Sequence, residues 1–124
     1  MAKGYFMDSD LPVRALRGFH VVLTRPMAFC YAHELLGLQW YTVPKGFKSD
    51  MASVPRFLWP LLPPHGRVKK AAILHDWLYS QPKIDRAFAD LLFLEAMKSD
   101  GVPWLQRWAM YLGVRAFGGF FRNH

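Results

Sequence analysis

A chain of 124 residues, 52% hydrophobic and 16% aromatic, has enough apolar material for one packed core, which excludes an intrinsically disordered segment. A domain of this size buries roughly two-thirds of the surface of its unfolded chain, so no disulfide or metal is required to hold it together. The net charge of +7 leaves nucleic acid, anionic lipid and acidic proteins all electrostatically compatible as partners.

Cys30 is the single cysteine, so no disulfide forms within the chain and a reducing compartment is expected. It lies in the apolar run Met27-Ala28-Phe29-Cys30-Tyr31, where it reads as a small buried hydrophobe. The first residues, MAKGYFMDSD, lack the continuous apolar stretch of a secretory signal. No window of about 20 residues is free of charge, and the nearest, from Trp104 to Phe121, is interrupted by Arg107 and Arg115, so no transmembrane segment is expected. The basic residues are scattered. The densest group, Arg67-Val68-Lys69-Lys70, opens a helix and reads as a solvated face, so nucleic acid stays open on charge alone, without a recognition motif.

In chain order, residues 1–62 read as β-rich and residues 67–120 as helical, within a single domain over 1–124. Residues 18–24 (GFHVVLT), 27–31 and 38–43 (LQWYTV) carry the β-branched and aromatic side chains of strands. Pro44-Lys45-Gly46 makes a turn. Pro55, Pro60, Pro63 and Pro64 forbid a continuous helix over 55–66, a segment expected to lie over the core through Leu58, Trp59, Leu61 and Leu62. From Arg67 the spacing of Val68, Ala71, Ala72, Trp77 and Leu78 suits a helix of about 13 residues, broken at Ser80-Gln81-Pro82. Asp85 is the N-cap of a second helix that runs to about Ser99 and stops at Ser99-Asp100-Gly101. Pro103 begins a third, carrying Leu105, Trp108, Ala109, Leu112, Val114 and Phe117 and ending at Gly118-Gly119. The expected fold is α+β: a small antiparallel β-sheet in the N-terminal half followed by three α-helices.

The candidate chemistry lies between Asp50 and Asp90. His75 sits four residues before the first helix's end at Tyr79, and Asp90 four after the second's start at Arg86. In an antiparallel hairpin both are about 6 Å from the turn by helical rise, so they meet. Arg86 and Asp90, spaced i,i+4, pair on one helix face. A histidine held by a carboxylate is a better base, giving His75, Asp76 and Asp90 as candidate catalytic residues. The same donors suit a divalent metal such as zinc, manganese or iron, with His75, Asp90 and Asp50 as ligands and Asp76 as orienter. Ser53 as a nucleophile with His75 as its base is a further reading, although no nucleophile-elbow pattern surrounds it. Asp50, Ser53, Arg86 and Tyr79 complete a polar or ligand-binding cluster. All of these residues also have a structural reading, as a buried hydrogen-bonded tie between helix and loop, with Asp50 and Ser53 capping a short turn and Tyr79 packed at a helix end. His20 is placed in a strand, His33 and His65 in loops and His124 at the terminus, none with ligand spacing to another histidine. Met7, Met27, Met51, Met97 and Met110 are expected as core filler.

The runs VPKGFKSDMASVPRFLW, AAILHDWLYS and DRAFADLLFLEAM, in this order, resemble the phage and prophage family catalogued as domain of unknown function 1353. Asp50, Ala52, Ser53, Pro55, His75, Asp76, Tyr79, Arg86, Asp90 and Met97 fall on its pattern, and the likeness extends over residues 18–118, including the closing helix. Asp85 stands where the family has Ser or Thr, a replacement of one helix cap by another. The resemblance implies a phage or prophage origin and no particular reaction. The Leu-His-Asp-x-Leu-Tyr run is also reminiscent of the His-Asp helix of secreted phospholipases A2, but the calcium loop and the disulfides of those enzymes are missing.

Three functions are therefore expected as alternatives. The first is a virion-associated component of tail, baseplate or capsid, made in the host cytoplasm, with other phage structural proteins as partners and Phe57 to Pro64 together with Phe117, Phe120 and Phe121 as contact surfaces. The second is a small metal-dependent or acid-base hydrolase. The third is an inhibitor of a host protein.

Overall fold

The computed structural model of the protein describes residues 3–7, 10–16, 20–49 and 68–117. Its strands are β1 (Gly4–Phe6), β2 (Val13–Ala15), β3 (Val21–Leu23), β4 (Met27–His33), β5 (Gly37–Val43) and β6 (Lys48–Ser49), and its helices are α1 (Lys69–Tyr79), α2 (Arg86–Ser99) and α3 (Trp104–Phe117). The α+β arrangement is the expected one, with the strands divided between two antiparallel sheets, β1-β4-β5 and β2-β3-β6.

β4 is the spine of the larger sheet. Its alternation sends Met27, Phe29 and Tyr31 into the core, paired with Val43, Tyr41 and Gln39 of β5. Phe6 of β1 stacks on Phe29 at 4.9 Å, and Phe88 of α2 meets Tyr31 and Tyr41 at 5.8 and 6.0 Å. Gly4 has to be glycine, because a Cβ there would lie 2.5 Å from the Phe29 ring and 2.6 Å from the Cys30 carbonyl. Cys30 is buried, as expected of a small hydrophobe. His33, expected in a loop, is instead the last residue of β4, and its Nδ1 accepts the backbone N–H groups of Leu35 and Leu36 at 3.1 and 3.2 Å, closing the turn into β5. His20 lies just before β3 rather than within it.

The smaller sheet is stitched by short pairings: Val21 opposite Ser49, Val13 opposite Leu23. The turn at Pro44-Lys45-Gly46 forms as expected, with Phe47 N–H donating to the Pro44 carbonyl at 3.2 Å.

α1 buries Ala71, Ala72, Ile73, Leu74 and Leu78, so it is a core helix rather than a surface one. The Asp85 carboxylate accepts the Ala87 N–H at 3.1 Å and caps α2, the role its position suggested. Gly101, at φ +75°, takes the left-handed conformation that closes α2, with Val102 N–H donating to the Met97 carbonyl at 3.0 Å. Met27, Met97 and Met110 are core residues, whereas Met7 is 63% exposed on the outer side of β1. On α3, Met110 and Val114 face the core, but Leu105 and Leu112 point to solvent. Arg67, residues 50–66 with Met51, His65 and the prolines, and residues 118–124 with Phe120, Phe121 and His124 lie outside the described residues.

Candidate functional site

α1 and α2 form the antiparallel hairpin anticipated from their spacing, and it brings His75 Nε2 within 2.6 Å of Asp90 Oδ1. Tyr79, one turn after His75, donates its hydroxyl to the same oxygen at 2.6 Å. The other oxygen, Oδ2, accepts from Arg115 Nη1 of α3 at 3.0 Å. Arg86 stands further off, its Nη1 3.9 Å from Oδ2, and donates instead to the carbonyls of Arg115 and Val114 at 3.2 and 3.4 Å. These are last-turn carbonyls of α3, whose partial negative charge a guanidinium neutralises. The expected Arg86–Asp90 pair is thus loose, and the close cation is Arg115.

His75 and Asp90 are both fully buried, and the His75 ring packs on Tyr79 and Phe93 with centroids 4.2 and 4.7 Å apart. Burial alone pushes the Asp90 carboxyl upward, but the hydrogen bond and charge of His75, with Tyr79 and Arg115, outweigh it and hold Asp90 below the ordinary carboxylate range. The Tyr79 phenol moves the other way. Burial first, then its hydrogen bond to Asp90 and the carboxylate's charge, raise it well above its usual value, against a smaller pull from Arg86. Tyr79 is a donor here, not a proton source near neutrality.

Asp76, next along α1, faces another partner: its Oδ2 accepts from Ser49 Oγ of β6 at 2.8 Å, which fastens the smaller sheet to the helices. Asp50 and Ser53 lie outside the described residues. Among the described residues, no group of three or more His, Cys, Asp or Glu side chains is arranged to hold a metal ion. Of the ligand trio His75, Asp90 and Asp50, the structure brings the first two together.

Three polar features depart from the sequence reading, among them Lys70, expected on a solvated face and found buried. In the sequence Arg115 stands out only as an interruption of an apolar stretch. Its position was nonetheless inferable by the logic that paired His75 with Asp90, because α3 returns antiparallel to α2 and its last turn falls beside α2's first turns. Lys70 is buried, with Nζ 3.6 Å from Asp100 Oδ1 and 4.4 Å above the Phe6 ring. Burial raises the Asp100 carboxyl, only partly offset by Lys70, and among the described residues its Oδ2 has no hydrogen-bond partner. Buried Glu95 accepts the backbone N–H of Lys3 at 3.0 Å and the Lys98 ammonium at 3.2 Å, anchoring the start of β1 on α2. Away from these clusters, a shallow hollow of about 230 Å³ lies between Lys3, Gly4, Tyr5, Cys30, Ala32 and Leu38 on the outer side of the larger sheet.

The chain belongs to the family described as protein of unknown function (DUF1353), whose model matches residues 22–114, from β3 to the start of the last turn of α3. The matched stretch contains His75, Asp76, Tyr79, Arg86 and Asp90. The chain is also similar to an uncharacterized protein, y4jT, of Sinorhizobium fredii, with 32% identity over 84 residues that make up 66% of this chain and 25% of the relative. The aligned region therefore covers about a quarter of that relative's length. No solved structure matches the chain. Among the described residues, no helix is long and apolar enough to cross a membrane.

Proposed function

We propose that this chain is a phage-encoded, virion-associated component of tail, baseplate or capsid, in which the His75–Asp90 cluster ties three helices together rather than turning over a substrate. The observation that carries this reading is the enclosure of Asp90. Its side chain has no solvent exposure, Oδ1 accepts from both His75 and Tyr79, and Oδ2 accepts from Arg115. A carboxylate satisfied from three directions in the core offers little to a metal or an attacking water, and its removal costs the fold a buried network. The protein's apolar residues support the same reading from outside, since Leu36, Leu38, Trp40, Trp104 and Leu105 are exposed, and exposed aromatic and aliphatic groups are what contacts with neighbouring subunits use.

The test is quantitative mass spectrometry of purified particles from a phage or induced prophage that encodes the chain. We expect it in a fixed number of copies per particle. Its absence from particles, with abundant protein in the infected cell, overturns the reading in favour of a host-protein inhibitor.

An acid-base or metal-dependent hydrolase is the second reading. What favours it is the 2.6 Å contact that fixes His75 Nε2 on a carboxylate, the arrangement of an oriented base. It requires His75→Ala to abolish an activity while the variant stays folded.

A further inference from the structure

Strand β5 is a seven-residue edge of the larger sheet. Its partner β4 turns alternate residues toward its two neighbours: Ala32 N–H donates to Lys3 at 2.8 Å and the Ala28 carbonyl accepts from Met7 at 2.9 Å, so these residues face β1. In an antiparallel ladder the intervening Phe29 and Tyr31 then face β5, where they oppose Tyr41 and Gln39. The main-chain groups of Leu38, Trp40 and Thr42 accordingly point away from β4, along the free edge. Among the described residues no backbone pairs with them; the Gln39 amide alone reaches the Leu38 carbonyl, at 3.2 Å, and leaves that oxygen a second lone pair. Their side chains line the outer face, where Leu38 is 63% and Trp40 47% exposed and Tyr5 meets Trp40 edge-on at 6.1 Å.

Edge strands of soluble proteins are ordinarily guarded by a charge, a proline or a bulge. β5 has none: residues 35–43 contain no charge and no proline, and the register from Met27↔Val43 to His33↔Gly37 is unbroken. In a chain of net charge +7, this neutral run is a place where two like-charged copies can meet without bringing cations together.

The geometry points to a second copy of this chain as the occupant, paired antiparallel along β5 about a two-fold axis at Trp40. The free positions are symmetric about that residue. Trp40 exchanges both main-chain hydrogen bonds with its equivalent, and Leu38 and Thr42 exchange theirs with each other across the axis, giving a six-stranded sheet and an isologous interface. The ends are complementary in charge. Exposed Glu34, whose Oε1 also meets Lys3 Nζ of its own chain at 3.5 Å, precedes the strand and exposed Lys45 follows it, so antiparallel pairing brings each Glu34 level with the Lys45 end of the second copy, as an addition to that solvent-exposed pair. This pairing is a property of the isolated chain and does not depend on the particle reading.

Sedimentation velocity on the full chain over a wide concentration range tests it. The wild type is expected to sediment as a dimer. Thr42→Pro deletes a donor that only the second copy uses and is expected to give a monomer. Glu34→Lys, on an exposed side chain that does not threaten folding, is expected to weaken the dimer several-fold, and adding Lys45→Glu to restore it. A wild type that stays monomeric at every concentration overturns the proposal and leaves the edge to an extended segment of a different protein. A dimer that withstands Thr42→Pro in folded form and ignores the charge exchange overturns it equally.

Discussion

Asp90 in the helical half and Trp40 in the larger sheet invert the usual partition of polar and apolar groups. The helices draw a carboxylate, an imidazole and a phenol into full or near-full burial and satisfy them with each other and with Arg115. The sheet β1-β4-β5 leaves Tyr5, Leu38 and Trp40 in water on its outer face. Burial makes the first group's contacts strong and mutually dependent, whereas the second group contributes little to the fold and is available to a neighbour. Substitutions in the two regions are therefore expected to differ in kind.

The largest effect is expected from Asp90→Ala, which removes the acceptor shared by His75, Tyr79 and Arg115 from a buried site. A loss of about 3–5 kcal/mol is expected, read as a denaturation midpoint lowered in urea with an unchanged slope. A loss below about 1 kcal/mol would show that the cluster is not what holds the helices.

The acid limb of stability sharpens the same point. Asp90's carboxyl is held below its unfolded value, so its contribution is fully present above the ordinary carboxylate range and is lost as pH falls through the lower, folded value. Urea titrations between neutral pH and strongly acid conditions should show that fall in the wild type and a shallower one in Asp90→Asn. Equal slopes in the two proteins would contradict the assignment.

Tyr79→Phe removes one of two donors to Oδ1 and leaves His75 in place. The expected cost is about 1–2 kcal/mol in the same measurement. At the bottom of the scale, Leu105→Ser on the exposed side of α3 should stay within about 0.5 kcal/mol of wild type. A cost as large as that of Tyr79→Phe would mean that this side chain supports the fold after all.

How much of this was legible in the sequence depended on how local the determining contacts are. The α1–α2 hairpin was readable because a helical period, an Asp85 cap and a short connection fix which residues stand level, and His75 meets Asp90 as that reasoning requires. Strands β4 and β5 were readable from their β-branched and aromatic runs and from the Pro44-Lys45-Gly46 turn that follows β5. Strands β1, β2 and β6 were not, since each is three residues or fewer and exists because a distant partner pairs with it. The split into two sheets follows from those same unread pairings. Within the site, Tyr79 was named as a member of the polar cluster without its partner, while the choice of Arg115 over Arg86 as Asp90's close cation is made by how α3 packs on α2. Asp76 illustrates the reverse case: adjacent to His75 in sequence, it sits a third of a turn around the helix and reaches Ser49 instead.

The anchoring of β1 has a consequence for the order of events during folding. The Lys3 N–H is held by Glu95, 92 residues away, while β4–β5, α1–α2 and α2–α3 are each joined by short connections. Closing so long a loop is slow compared with forming the local hairpins. β1 can pair with β4 earlier, but its anchor on Glu95 closes only after α2 has formed. Pulsed hydrogen exchange during refolding should record this as late protection of the Lys3 amide, which bonds to Glu95, after the amides of α1 and α2 are already closed.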